Sequence, residues 1–176
     1  MPGERTLVLG GARSGKSHFA ESLLTGHDRV RYVATGYTHD TDPEWTQRVR
    51  AHQQRRPAGW TTLETIDLPP LLASDGPPLL VDCMSVWLAR IIDTSDGWQT
   101  PVLPADVERR VDEVIDAWRG ASGPVVAVSN EVGMGVVPAT PSGRRFRDEL
   151  GTLNRRLAAV CDVVWVVVAG LPMRVK

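Results

Sequence analysis

Residues 10–17 read GGARSGKS and match the pattern G-x-x-x-x-G-K-[ST] at every fixed position. An apolar run from Thr6 to Leu9 precedes this stretch, and a segment with helical spacing of apolar residues, Lys16 to Leu24, follows it. A strand, a glycine-rich turn and a helix in this order predict a loop that binds the phosphates of a nucleoside triphosphate. The alternative is a turn that only joins strand to helix, and the complete motif in this context disfavours it.

The residue types in this loop suit phosphate oxygens. Glycine lets an anion approach the backbone N–H groups without a side chain in the way. Lys16 is expected to reach the β and γ phosphates and to act in catalysis, and the Ser17 hydroxyl is expected to bind Mg²⁺. We therefore predict phosphate contacts for the whole loop, which consists of Gly10, Gly11, Ala12, Arg13, Ser14, Gly15, Lys16 and Ser17.

The rest of the chain alternates short apolar runs with segments of helical period, which is typical of an α/β domain with a mostly parallel sheet. With the phosphate loop, this predicts a three-layer fold like that of the P-loop nucleoside triphosphatases, formed by residues 1–176 as a single catalytic domain. Further strands are predicted at Val30–Val33, Trp60–Glu64, Pro78–Cys83, Val125–Val128, Val163–Val168, which should be central, and Met173–Lys176, a short antiparallel strand after a turn. Further helices are predicted at Glu44–Arg55, Val86–Ile92, Ala105–Trp118 and Arg144–Val160, with a surface loop at 93–104.

Asp82 lies at the end of the buried strand predicted for Pro78–Cys83. An acidic residue at the end of a strand neighbouring the loop strand commonly orders the Mg²⁺ shell, directly or through water. The alternative is an aspartate that caps the following turn. The phosphate loop favours the metal role.

Composition excludes several classes of protein. Of the 176 residues, 20 are Lys or Arg and 21 are Asp or Glu, so the net charge of -1 gives no general attraction for nucleic acid or anionic membranes. No apolar run approaches the roughly 20 residues of a membrane span, and no signal segment is recognisable at the N-terminus, which predicts a cytoplasmic protein. Cys83 and Cys161 lack metal-ligand spacing and are expected to be reduced core thiols.

One segment concentrates positive charge. Residues 48–57, RVRAHQQRRP, place four arginines around His52 in a chain whose charge is otherwise balanced. Helical spacing would put Trp45, Val49 and His52 on one face. Taken alone, this pattern describes a structural histidine and a solvated surface more often than a catalytic site, so the residues by themselves leave its role open.

Four stretches resemble the bifunctional adenosylcobinamide kinase and adenosylcobinamide-phosphate guanylyltransferase family of cobalamin biosynthesis. They are TLVLGGARSGKS at 6–17, RYVATG at 31–36, RVRAHQQRRPAGW at 48–60 and VSNEVGMGVVP at 128–138. Their order and spacing run through the whole chain, and the C-terminal NRRLAAVCDVVWVVVAGLPMRVK is also similar to the family's ending.

The resemblance implies two reactions with ATP or GTP as co-substrates and Mg²⁺ as metal: phosphorylation of adenosylcobinamide, then transfer of GMP from GTP onto the new phosphate. It implies that the GMP is carried covalently by a histidine, which corresponds to His52, and that the enzyme is a homotrimer. Nucleotide contacts beyond the phosphate loop are implied at Ala34, Thr35, Gly36, Gln53, Arg55, Arg56, Glu64 and Asp82, and metal contacts at Ser17 and Asp82.

Three other functions compete with this one. A simple P-loop kinase would leave His52 with a structural role only. A nucleotide-dependent switch is disfavoured because the sequence contains no Asn-Lys-x-Asp motif for reading guanine. A motor acting on nucleic acid is disfavoured because the chain has no excess positive charge.

Overall fold

The computed structural model describes residues 3–36 and 56–176. The strands within these ranges are β1 Arg5–Gly10, β2 Arg31–Ala34, β3 Thr61–Glu64, β4 Leu79–Asp82, β5 Val125–Asn130, β6 Val163–Val168 and β7 Leu171–Arg174. They form one sheet in the order β3-β2-β4-β5-β1-β6-β7. Every neighbouring pair is parallel except β6 and β7, which confirms the predicted mostly parallel sheet with an antiparallel strand near the C-terminus.

Helices lie on both faces of this sheet. They are α1 Lys16–Ser22, α2 Pro69–Ala73, α3 Met84–Asp93, α4 Ala105–Gly120 and α5 Pro141–Val160. Helix α1 packs on one face in a cluster that includes Val8 and Leu80, whereas α2 to α5 pack on the other around Leu7 and Val81. Strands covered on both faces must be apolar at successive positions, which explains the apolar runs of the sequence. The three layers confirm the predicted fold class.

The predicted helix periodicity agrees with the burial of α4. The sequence puts Val107, Val111, Val114, Ile115 and Trp118 at helical spacing on one predicted inner stripe, and all five are buried in α4. Helix α2 was not predicted because a helix of five residues is too short to show a period. Leu23 was predicted to face inward with Ala20 and Leu24 but is exposed, because the buried side of this short helix follows Lys16, Ala20 and Leu24, and Leu23 lies just beyond its end.

The position of β6 differs from the prediction. It pairs with β1 on one side and β7 on the other, so it is an inner strand, but it stands next to the sheet edge instead of at the centre. The turn between β6 and β7 also lies earlier than predicted. Ala169 and Gly170 form it, both with positive φ, as in the two-residue turns that suit hairpins.

The loop at 93–104 is tied to the body of the protein. Trp98 is partly buried and packs against Phe146 of α5, with ring centroids 6.4 Å apart. Arg145 donates hydrogen bonds to the carbonyl oxygens of Gly97 and Thr100. The helix predicted for Glu44–Arg55 lies outside the described residues. No helix within 3–36 and 56–176 has the length and apolar character needed to cross a bilayer.

Candidate nucleotide site

The carboxyl ends of four parallel strands bring predicted site residues to one edge of the sheet. Gly10 ends β1, Ala34 ends β2, Glu64 ends β3 and Asp82 ends β4. With about 4.8 Å between strands, Asp82 lies roughly 10 Å and Glu64 roughly 19 Å along the edge from Gly10. Asp82 was predicted to lie on a strand next to the loop strand. This was wrong, since β5 lies between β1 and β4.

The backbone of the loop needs glycine at two positions. A Cβ on Gly10 would lie 2.5 Å from the Ser14 Oγ atom and 2.7 Å from the carbonyl oxygen of Val167. Gly15 has φ 91°, a conformation that costs other residues steric strain, and it immediately precedes α1. Within the described ranges, the buried Ser14 Oγ atom has no hydrogen-bond partner. The loop therefore has a specific closed shape and carries a polar atom that a bound anion could satisfy.

Lys16 lies beneath this loop at the start of α1. Its side chain is 9% exposed, and Nζ donates a hydrogen bond to the Gly11 carbonyl oxygen at 3.1 Å. Burial lowers the pKa of Lys16, and the nearby Cys83 and Asp82 partly offset this effect. A cation held in a partly desolvated position interacts strongly with an anion placed next to it. Phosphate oxygens in the loop would supply that anion.

The hairpin between β6 and β7 supports the loop from the side. The Gly170 N–H donates to the Ser14 carbonyl oxygen at 2.9 Å. A Cβ on Gly15 would lie 3.4 Å from the Gly170 Cα atom, so the two backbones are in contact. The shape of the phosphate loop thus depends on residues near the other end of the sequence.

A polar network lies between the loop and Asp82. Asn130, at the end of β5, donates through Nδ2 to Ser85 Oγ at 2.8 Å, and Ser85 Oγ lies 2.9 Å from Cys83 Sγ. Asn154 of α5 donates to the Asn130 carbonyl oxygen at 3.0 Å. Burial raises the pKa of the Cys83 thiol, and Asp82 raises it further. Cys83 and Cys161 are both free thiols, as expected.

Asp82 is held from the β2 side. The Tyr32 hydroxyl donates to Asp82 Oδ2 at 2.6 Å, and the Arg56 guanidinium lies over the Tyr32 ring at 3.3 Å from its centroid. Burial raises the pKa of the Tyr32 phenol above its ordinary value, and the Asp82 charge adds to this. The hydroxyl therefore stays protonated and acts as a donor at neutral pH.

The stretch 34–36 is anchored to the start of α3. Thr35 is fully buried, its Oγ1 donates to the Cys83 carbonyl oxygen at 2.8 Å, and it accepts from the Cys83 N–H at 2.9 Å. Arg90 donates to the carbonyl oxygens of Thr35 and Gly36, both at 2.9 Å. The Thr35 side chain is therefore committed to the protein, and any nucleotide contact from this stretch would come from its backbone or from Gly36.

The oxygen donors at this edge fit Mg²⁺. Residues 3–36 and 56–176 contain no group of three or more His, Cys, Asp or Glu side chains arranged for a metal ion. Mg²⁺ does not need such a cage, because it usually binds one or two carboxylates, the substrate phosphates and several waters. Ser17 on α1 and Asp82 on β4 offer a hydroxyl and a carboxylate at the same edge.

Comparison with protein families identifies the family of this chain. The family model described as cobinamide kinase / cobinamide phosphate guanyltransferase, CobU, matches residues 6–175. The chain belongs to this family. It is therefore an enzyme with the two activities that the family description names, which agrees with the resemblance seen in the sequence.

Curated relatives of the CobU family match along almost their whole length. The bifunctional adenosylcobalamin biosynthesis protein CobU of Salmonella typhimurium is 36% identical over 180 residues, which are 97% of this chain and 98% of the relative. The CobU protein of Escherichia coli is 35% identical with the same coverage. The bifunctional adenosylcobalamin biosynthesis protein CobP of Pseudomonas aeruginosa is 39% identical over 98% of this chain.

Solved structures of lower identity share the fold of this CobU-family chain. A prototypical ATPase from the type III secretion system of pathogenic bacteria matches 98% of this chain and 58% of its own, with a TM-score of 0.61 and 13% identity. The assembled ATPase EscN of an enteropathogenic E. coli type III secretion system matches with a TM-score of 0.55, also at 13% identity. At this identity the similarity concerns the fold alone.

The described part of this CobU-family chain therefore brings most predicted site residues to one edge. His52, Gln53 and Arg55 lie outside the described residues, so their proposed roles stay predictions. Tyr32 and Ser85 were not predicted from the sequence. Ser85 could have been noticed as a polar residue just after a buried strand, whereas Tyr32 lies inside an apolar strand and carries no signal of its contact with Asp82.

Proposed function

We propose that the chain phosphorylates adenosylcobinamide with ATP or GTP and then transfers GMP from GTP onto adenosylcobinamide phosphate, through a GMP–His52 intermediate. The products would be adenosyl-GDP-cobinamide and pyrophosphate. The observation that carries this proposal is the buried Lys16 beneath a complete phosphate loop, in a chain that matches the CobU family over residues 6–175.

The layout of the edge supports a nucleotide lying along it. The loop Gly10 to Ser17 would hold the β and γ phosphates, with Lys16 offsetting their charge. Ser17 and Asp82 would hold Mg²⁺, which when bound neutralises phosphate charge. Ala34 to Gly36 and Glu64 follow at increasing distance from the loop, where the sugar and base would extend.

In the transfer reaction, a neutral ring nitrogen of His52 would attack the α phosphorus of GTP. A P–N bond forms, the bond from the α phosphorus to its bridging oxygen breaks, and pyrophosphate leaves into the phosphate loop. A phosphate oxygen of adenosylcobinamide phosphate then attacks the same phosphorus, and the P–N bond breaks. Gln53, Arg55 and Arg56 would contact the nucleotide during these steps.

Intact mass spectrometry tests the covalent step. After incubation with GTP and Mg²⁺, the protein should gain the mass of one GMP, and the adduct should be labile in acid and stable in alkali. His52→Ala should not gain it. His27→Ala is the matched control, because His27 is exposed and follows the end of α1, away from the carboxyl edge.

Two outcomes would contradict the proposal. Equal labelling of His52→Ala and the native protein would remove His52 from the mechanism. Absence of any adduct, together with phosphorylation of adenosylcobinamide and no pyrophosphate release, would favour a simple kinase.

We also propose that the enzyme is a homotrimer in the cytoplasm, with residues 1–176 as one catalytic domain. In support of an oligomer, β7 ends the sheet and carries Leu171 and Met173, and Val175 follows it directly; all three are more than half exposed. Apolar side chains on an open edge strand are commonly covered by another chain. Light scattering should give three times the 19.3 kDa chain mass, and a monomer mass would refute the trimer.

A further inference from the structure

Tyr32 contacts the candidate metal residue from the neighbouring strand. Strands β2 and β4 pair in parallel with Ala34 opposite Asp82, so Tyr32 lies two residues back on the same face as Asp82. A long side chain at such a diagonal position can reach its neighbour across the pair. Tyr32 is 3% exposed, and its hydroxyl donates to Asp82 Oδ2 at 2.6 Å.

The ring is itself fixed from its other side. The Arg56 guanidinium carbon lies 3.3 Å from the Tyr32 ring centroid, and Arg56 Nη1 donates to Thr62 Oγ1 of β3 at 2.8 Å. The cation therefore stacks on the ring while its position is set by a neighbouring strand. A buried ring with one face covered in this way has little freedom to move its hydroxyl away from the carboxylate.

We propose that Tyr32 is a positioning residue that orients the Asp82 carboxylate toward the metal ion of the bound nucleotide. The hydrogen bond at Oδ2 restrains rotation of the carboxylate about its last side-chain bond. Mg²⁺ demands near-ideal octahedral geometry, so a carboxylate already in place loses less rotational freedom when the metal binds. The inference rests on the metal role proposed above for Asp82.

The expected change in Mg²⁺ affinity follows from similar contacts in other metal sites. Removing a residue that orients a metal ligand typically reduces metal affinity by about 10 to 100-fold. Tyr32→Phe keeps the ring and removes only the donor. Mg²⁺ increases nucleotide affinity, and the Mg²⁺ concentration that gives half of this increase should be about 10-fold higher or more in Tyr32→Phe. Nucleotide affinity without metal should change less than about two-fold, because the phosphate loop is untouched.

The experiment is calorimetric titration of α,β-methylene GTP, first in EDTA and then over a series of Mg²⁺ concentrations. This analogue cannot lose pyrophosphate, so binding is measured without turnover. Asp82→Asn reports the effect of the metal residue itself. Trp60→Phe is the control for packing, because Trp60 is buried in the same apolar cluster as Tyr32 and has no hydrogen bond to Asp82.

A structural defect and a positioning defect give different results. If Tyr32 positions Asp82, high Mg²⁺ should restore the kcat of kinase turnover in Tyr32→Phe, whereas a damaged fold would not recover. Thermal unfolding checks that the variant is folded. If it is not, 4-fluorophenylalanine at position 32 keeps the packing and lacks the O–H donor, and it should show the same shift.

The outcomes separate this inference from the proposed function. One result is that nucleotide affinity depends on Mg²⁺ in Tyr32→Phe as in the native protein while this dependence is shifted in Asp82→Asn. That result would overturn the role of Tyr32 and leave the proposed function intact. A normal dependence in Asp82→Asn would refute the metal role of Asp82, and the inference about Tyr32 with it. A shift in Trp60→Phe equal to that in Tyr32→Phe would assign the effect to packing.

Discussion

Replacing Gly10 by alanine should destabilise the protein, whereas the same change at the adjacent Gly11 should not. At Gly10 the new Cβ would meet Ser14 Oγ at 2.5 Å and the Val167 carbonyl oxygen at 2.7 Å. Both distances are shorter than real Cβ atoms tolerate. At Gly11 the new Cβ would have no neighbour within 4 Å.

The magnitude depends on which neighbour can move. The Ser14 side chain can rotate, although its Oγ atom is buried in the loop. The Val167 oxygen belongs to the backbone of β6, where Val167 pairs with Gly10 itself, so it can move only by disturbing the sheet. Overpacking of this kind costs about 1–3 kcal/mol of unfolding free energy. For a domain of this size, that lowers the melting temperature by roughly 2–12 °C.

Urea denaturation of the native protein, Gly10→Ala and Gly11→Ala without nucleotide measures this difference. The free energy of unfolding of Gly11→Ala should lie within about 0.5 kcal/mol of the native value, as is usual for surface substitutions. Equal stability of the two variants would show that the close approach of β1, the loop and β6 does not constrain position 10, and the reasoning about loop shape would fail.

Three further predictions concern charge. Burial lowers the pKa of Lys16, and bound phosphate would raise it. Nucleotide affinity should therefore be constant while Lys16 is protonated and fall as pH rises through the pKa of Lys16 in the free enzyme. Calorimetry from about pH 7 to 10 tests this, with Lys16→Met as a variant whose nucleotide affinity should be weak and independent of pH. The Arg5 hydrogen bonds lower the pKa of Asp162 to about 2, so the pair stabilises the protein above the ordinary carboxyl pKa and loses this as pH falls toward 2. Solvent screening limits the loss of unfolding free energy in Asp162→Asn to about 1 kcal/mol near pH 7. In urea titrations, the difference in unfolding free energy between the native protein and this variant should become smaller below about pH 4. Arg145→Met removes the hydrogen bonds to the segment 97–100. The amides of that segment should then exchange with solvent at least about ten-fold faster, whereas the amides of β1 should stay protected. Unchanged exchange in 97–100 would contradict this role of Arg145.

The phosphate loop could be predicted because its chemistry needs contiguous residues. Gly10 to Ser17 would act through their own backbone and two side chains, so these eight residues display the chemistry, although the hairpin that contacts them lies near the other end of the sequence. The inner stripe of α4 was predictable for a similar reason, since burial repeats with the helical period.

The order of the strands could not be read in the same way. The run Val163–Val168 shows that a strand forms, but its place beside the sheet edge depends on pairing with β1 and β7. The insertion of β5 between β1 and β4 is also a long-range property. The contact of Tyr32 with Asp82 joins residues 50 positions apart through strand register, which no local period displays.

The neighbours of β1 bear on how the protein is made. Both partner strands of β1, β5 and β6, are encoded in the second half of the sequence, and the hairpin that braces the loop follows them. During synthesis on the ribosome, both edges of Arg5–Gly10 therefore stay unpaired until at least residue 130 has emerged. Nascent chains stalled earlier should be unable to bind GTP, so the nucleotide can stabilise the protein only after the segment through β5 has been translated.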